Sequence, residues 1–246
     1  MSKGKIYVVG IGPGNYENMT LRAIKALEES DCIAGYTVYC DLVRDKFPDK
    51  EYIQTPMMGE EKRVELALEA ASNGKIVSII CSGDPGVYGM AGLALSKVEA
   101  LPDMEVEVIP GVSAAFSGAA LLGAPLIHDF SVISLSDRLT PMELIEKRLR
   151  LAAQGDMAIV LYNPQSKSRS GYLAKAYEVL AEYIEPERVC GIAWNIGRQG
   201  QRYKIFRFSN LKDIDADMFS TVFIGNSRSR EILGRMVTSR GYDSEK

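Results

Sequence analysis

The chain has 246 residues, with 29 Lys and Arg against 32 Asp and Glu, a formal net charge of −3, and 46% hydrophobic residues. That balance excludes a disordered chain, which combines low hydrophobicity with high net charge. It also excludes the positive field that generic binders of nucleic acid or anionic membrane require; the length fits one large domain or two small ones.

In chain order, Ile6–Val9 reads as a buried strand running into a glycine-rich turn. Thr20 to Glu29 reads as a helix with Thr20 as its N-cap. Glu60 to Asn73 places Val64, Leu66, Ala67, Leu68, Ala70 and Ala71 at helical spacing and stops at Gly74. Ile76–Ile80 is an apolar, β-rich run, Gly86 to Glu99 reads as a helix, and Glu105–Ile109 as a further strand. Alternating β and α with continuous apolar strands predicts a mostly parallel sheet covered on both faces.

Val108 to His128 contains no Asp, Glu, Lys or Arg and is about as long as a bilayer crossing. Pro110, Gly111, Gly118, Gly123 and Pro125 interrupt it, so the segment reads as a buried loop and helix rather than a membrane span. Beyond it, Phe130–Leu135 is a strand, and Thr140 and Pro141 mark the start of a helix over Met142–Ala153 that stops at Gly155. Met157–Leu161 is a strand and Ser170–Tyr183 a helix; Val189–Ala193, Tyr203–Phe208 and Thr221–Ile224 are strands. Two of these follow each other across the turn Gly197–Gly200, which predicts a mixed second sheet. The expected fold is therefore α/β in two domains, residues 1–123 and 124–246, the first mostly parallel and the second mixed.

Cys32, Cys40, Cys81 and Cys190 form no CxxC pair, and His128 is the only histidine. A structural zinc site needs clustered ligands, so no metal is expected. Scattered cysteines in apolar surroundings fit free buried thiols and a cytoplasmic location. The N-terminal MSKGKIYVVG carries no long apolar stretch, and no signal peptide is read there.

Four strand ends carry small residues. Gly10-Ile-Gly12-Pro13-Gly14-Asn15 follows the first strand. A dinucleotide fingerprint is a poor fit, because residue 15 is Asn and Pro13 removes an amide that would bind phosphate. Ser82-Gly83-Asp84-Pro85-Gly86 follows the strand 76–80 and lies where open α/β sheets bind ligands. Pro110-Gly111-Val112-Ser113 and Tyr162-Asn163-Pro164 complete the set. Taken singly, each has a plain reading: a tight turn, a helix cap at Ser113, or packing at Tyr162.

Together these segments resemble the tetrapyrrole methylases, the S-adenosylmethionine-dependent enzymes of corrin and sirohaem synthesis. GIGPGN at 10–15, CSGDPGVYG at 81–89, VIPGVSAA at 108–115, VLYNP at 160–164 and TVFIGN at 221–226 occur in the family's order. GYTVYCDLV at 35–43, APLIHDFSVISLSD at 124–137 and LYNPQSKSR at 161–169 look like the branch that methylates C-17 of precorrin-3B or cobalt-factor III and contracts the ring. The alternative is another member of the family acting at a different ring position. The resemblance implies a cofactor cleft between two α/β domains, S-adenosylmethionine as donor with S-adenosylhomocysteine as product, a tetrapyrrole substrate and a homodimer. It carries cofactor contacts to Pro13, Gly83, Asp84, Val87, Ser113, Ala114, Asn163, Asn195 and Thr221. Many relatives have Asp where this chain has Asn15, and no cysteine cluster suggests an appended iron–sulfur module.

Methyl transfer from a sulfonium needs an aligned acceptor, and alignment alone supplies up to roughly 7–11 kcal/mol of a barrier in ideal cases. Ring contraction calls for acid–base help. The candidates are His128, Asp129, Ser134, Ser136, Asp137 and Tyr162, with His128, Asp137 and Tyr162 foremost. Each has a structural alternative: a satisfied histidine at the domain junction, a helix cap at Asp137, packing at Tyr162. Arg138, Lys167 and Arg169 are the candidate partners for the substrate's carboxylates, or else a solvated basic loop.

Overall fold

A computed structural model of the chain describes residues 4–166 and 170–241. It contains two compact units, one ending at Ser113 and the other beginning at Ala114.

The first unit is a five-stranded, wholly parallel sheet in the order β3-β2-β4-β1-β5. Its elements are β1 (Lys5–Gly10), α1 (Leu21–Glu29), β2 (Cys32–Tyr36), α2 (Thr37–Arg44), β3 (Glu51–Thr55), α3 (Glu60–Ser72), β4 (Ile76–Cys81), α4 (Ala91–Val98) and β5 (Glu105–Ile109). Thr20 caps α1 as expected, its hydroxyl accepting from the Ala23 amide at 3.1 Å. The sequence predicts a helix from Gly86, but α4 starts only at Ala91. The residues before it form a turn instead: the Gly86 amide donates to Asp84 and the Ala91 amide to the Pro85 carbonyl.

From β1 the chain crosses to β2 and β3, then reverses to β4 and β5. Right-handed crossovers then require helices on opposite faces for the two directions. That is observed: α1 and α2 pack with Tyr7, Val9, Ile33 and Ile80, whereas α3 and α4 pack with Ile6, Val8, Val77 and Ile79. The chain therefore leaves the neighbours β1 and β4 in opposite directions, the kind of reversal at whose carboxyl edge open α/β sheets receive ligands.

The second unit comprises α5 (Ala114–Leu122), β6 (Gly123–Ala124), β7 (Phe130–Ser134), α6 (Met142–Gln154), β8 (Ala158–Tyr162), α7 (Tyr172–Leu180), β9 (Val189–Trp194), β10 (Arg202–Arg207), β11 (Ser220–Ile224), β12 (Ser229–Ile232) and β13 (Arg235–Thr238). Its main sheet runs β10-β9-β11-β8-β7, with β7 and β8 parallel and the other pairs antiparallel, a mixed sheet as expected. One face buries α6 and α7. The other buries α5, whose Ala115, Ala119 and Leu122 meet Val160, Val189 and Phe223. Burying one such Leu fully is worth about 2 kcal/mol.

This explains the charge-free segment: α5 lies so close to the sheet that a Cβ on Gly118 would stand 2.8 Å from the Phe223 ring. The close approach at Gly118 admits no side chain there, charged or not, and α5 packs on the second sheet. The units consequently part at 113/114, ahead of the junction expected from Gly123-Ala-Pro125. Among the described residues, no helix is long and apolar enough to cross a membrane.

Candidate functional site

Two polar edges stand out, one in each unit. In the first, two strand-end loops are joined backbone to backbone and a third is tied to them by a side chain. The Ile11 amide donates to the Cys81 carbonyl at 2.9 Å. Gly12 and Gly83 then exchange two hydrogen bonds, Gly83 N–H to Gly12 O at 2.7 Å and Gly12 N–H to Gly83 O at 3.2 Å. Both sit at positive φ, a conformation that L side chains resist.

Asp84 brings in the third loop. One carboxylate oxygen accepts from Gly86 N–H at 2.8 Å and the other from Gly111 N–H at 3.1 Å. The loops are pressed so closely that a Cβ on Gly111 would lie 2.1 Å from the Gly83 carbonyl oxygen. Thr20 adds a hydroxyl bond to the Pro110 carbonyl at 3.3 Å. Of the expected cofactor contacts here, Pro13, Gly83 and Ser113 are buried, Asp84 is half-buried and Val87 is exposed. Gly10 and Gly111 stand in the motifs as ordinary glycines. Their role as the points of backbone contact is legible only from the glycine at the end of one strand and just after another.

In the second unit, registers bring Ser134 opposite Tyr162, Ala193 opposite Thr221 and Trp194 opposite Ser220. The carboxyl ends of β7, β8 and β9 and the start of β11 thus share one edge, which collects Tyr162, Asn163, Asn195 and Thr221. Asn163 and Asn195 both occupy the left-handed region, φ +50° and +47°. Asn tolerates that conformation better than most residues. The Asn163 amide donates to Ser134 Oγ at 3.0 Å, and the same oxygen accepts from Ser136 N–H at 3.2 Å. The Tyr162 hydroxyl accepts from the Ala115 amide at 2.8 Å, in the first turn of α5.

Asp137 does not cap α6, whose N-cap is Pro141 without a side-chain bond. It accepts instead from the Tyr172 hydroxyl at 2.7 Å, at the start of α7. Arg138 beside it is exposed. His128 lies elsewhere, before β7, where the Ala158 amide at the start of β8 bonds to Asp129. One strand length, about 13 Å, separates that end from the Tyr162 edge. The His128 Nδ1 accepts from the Asp129 amide at 2.9 Å. Lys167 and Arg169 lie outside the described residues.

The cysteines are free and buried. Burial pushes the Cys81 thiol up to about 11 and that of Cys190 up to about 12. Neither offers a thiolate at neutral pH. Among the described residues, no group of His, Cys, Asp or Glu could hold a metal ion.

The chain is thus a two-unit α/β protein, one sheet parallel and one mixed, each with a polar edge at its strand ends, where α/β sheets receive small-molecule ligands. Residues 5–212 match the family described as Tetrapyrrole (Corrin/Porphyrin) Methylases, and the chain belongs to that family. It is 42% identical over 236 residues to the probable cobalt-factor III C(17)-methyltransferase of Salmonella typhimurium, covering 96% of this chain and 98% of that protein. It is 42% identical over 245 residues to the cobalamin biosynthesis protein CbiHC of Archaeoglobus fulgidus, covering 99% of this chain. There the chain spans about half of the relative's length, 54%. The crystal structure of the methyltransferase CobJ superposes with a TM-score of 0.88 at 36% identity, covering 96% of this chain and 100% of that one.

Proposed function

We propose that this chain is an S-adenosylmethionine-dependent C-methyltransferase of cobalamin biosynthesis, methylating C-17 of cobalt-factor III, or of metal-free precorrin-3B, with contraction of the ring. The observation that carries this reading is the 42% identity to the Salmonella protein named for that reaction, across 96% of this chain and 98% of that one.

The chemistry of the two edges supports a bound donor. They offer backbone amides and carbonyls, the Asp84 carboxylate and two left-handed asparagines, polar groups of the kind that orient a bound small molecule. In this reading Pro13, Gly83, Asp84, Val87 and Ser113 of the first unit hold the donor, with Ala114, Asn163, Asn195 and Thr221 of the second. The sulfonium supplies an electrophilic methyl group when bound. The protein contributes alignment, and no covalent intermediate on the chain is required. The protonated, buried thiols accord with that.

Ring contraction moves protons, and Tyr162 and Asp137 are the groups this reading assigns to it. His128 stands at the other end of β7 from these two groups. Arg138, with Lys167 and Arg169, supplies cations for the substrate's carboxylates, Arg in bidentate fashion. The active form is a homodimer in the cytoplasm.

The test is mass spectrometry of purified protein incubated with S-adenosylmethionine and, in parallel, cobalt-factor III and precorrin-3B. Gain of one methyl on either supports the reading and identifies the metal state of the substrate. Retention of S-adenosylhomocysteine binding with no gain on either moves the reaction to another ring position.

A further inference from the structure

Arg63 on α3 is 3% exposed, and the partners of its guanidinium are all neutral. Nε donates to Thr55 Oγ1 at 2.9 Å, one terminal nitrogen to the Pro56 carbonyl at 3.2 Å, and the other to the Met90 sulfur at 3.1 Å. Among the described residues, no carboxylate lies within ion-pair distance of it. A buried cation without a counter-charge is unfavourable, and an apolar side chain of similar volume would often serve stability better. The guanidinium therefore supplies something that apolar packing does not.

What it supplies is a rigid fork with donors in three directions. They reach the last residue of β3, the turn after it, and the residue just before α4. One side chain thus joins the 55–59 turn to the 82–90 loop, although β2 lies between β3 and β4. Each of these segments carries an apolar residue in the left-handed region, Met58 at φ +69° and Tyr88 at φ +54°. Neither residue type favours that conformation, so the surroundings impose it. Both side chains are largely exposed, 66% and 56%. Both follow parallel strands at the carboxyl edge, where α/β sheets receive ligands.

We propose that Arg63 is a positioning residue of the methyl-transfer site, and that Met58 and Tyr88, whose loops it joins, are apolar contacts for the flat face of the macrocycle. The proposal rests on the tetrapyrrole substrate argued above. A flat conjugated ring is the ligand suited to two exposed apolar side chains, a thioether and a phenol, fixed at loop tips beside a polar donor site.

The experiment compares wild-type protein with Arg63→Met, Arg63→Lys and the double variant Met58→Ala/Tyr88→Ala. Methyl transfer is followed with macrocycle and donor varied separately. In the double variant, KM for the macrocycle rises about tenfold, as expected for two lost apolar contacts. Its KM for the donor and its thermal midpoint stay at wild-type values. In Arg63→Met the midpoint holds or rises while kcat falls about tenfold, a loss of alignment rather than of folding. Arg63→Lys recovers part of kcat, because it keeps the charge but not the fork. A wild-type KM for the macrocycle in the double variant removes Met58 and Tyr88 from the site. Wild-type kcat and KM in Arg63→Met reduce Arg63 to packing. If the Met variant does not fold, the Lys variant decides the point, since full activity without the fork overturns the positioning role. An inactive wild type on every tetrapyrrole overturns the functional reading itself, whereas an active wild type with unaltered variants overturns only this inference.

Discussion

The two edges solve one problem with different materials. The first unit builds its edge from backbone: Gly12 against Gly83, Gly10 against Gly111, and a single carboxylate, Asp84, closing the set. The second builds its edge from side chains: Tyr162 onto the start of α5, and Asn163 onto Ser134. Backbone contacts at this distance leave no room for any side chain, so the first edge tolerates almost no substitution there. Side-chain contacts are lost one hydrogen bond at a time. The contrast follows from topology. The neighbours β4, β1 and β5 all run parallel, which crowds three adjacent strand ends together, whereas in the second sheet β11 runs the other way between β8 and β9 and separates their ends.

The sharpest test of that contrast is Gly111→Ala. The added Cβ would meet the Gly83 carbonyl, and the backbone must move, with an expected cost of about 3 kcal/mol or more. Thermal melts should show it, and calorimetric titration with S-adenosylhomocysteine should show binding lost. Asp84→Asn comes next, because one amide group replaces an oxygen that now accepts a backbone N–H. About 2 kcal/mol of stability should go, together with most of the donor affinity.

Tyr162→Phe removes one acceptor from the Ala115 amide and should cost about 1 kcal/mol in denaturant titration. If it costs more than Gly111→Ala, the ranking of the two edges is inverted. The smallest effect concerns neither edge and serves as a control. Lys175, by hydrogen bond and charge, holds the Glu146 carboxyl below the ordinary carboxylate range. A depressed folded-state value means that this stabilisation is present above the usual pKa and is lost as pH falls through the folded one. Melting midpoints of Glu146→Gln and wild type should therefore differ slightly near neutrality and converge in acid below about pH 4.

Much of the fold was legible because strands such as Ile6–Val9 and Ile76–Ile80 are continuous apolar runs, and because Thr20 and Gly74 punctuate helices. The stretch from Cys32 to Thr55 was not. There β2 passes into α2 with no turn residue between them and Tyr36 at the N-cap without a side-chain bond, so no boundary signal exists. The start of α4 was misread because Gly86 looks like helix entry, while its amide is engaged by Asp84. The motif loops were visible as letters, but that Gly12 pairs with Gly83 depends on β1 and β4 being neighbours, which spacing does not reveal. His128 and Tyr162 were grouped by residue type. Strand direction, which the sequence does not display, puts them at opposite ends of their sheet.

The placement of β1 has a consequence for synthesis. Lys5 pairs with Ile76 on one side and with Glu105 on the other. β1 is thus an inner strand whose two neighbours are translated after it. At about 5–20 residues per second, it waits several seconds for a partner, with its apolar residues unprotected. Nascent chains of this protein should therefore gain protease resistance only after residue 109 has emerged, and chaperone dependence should fall on that interval.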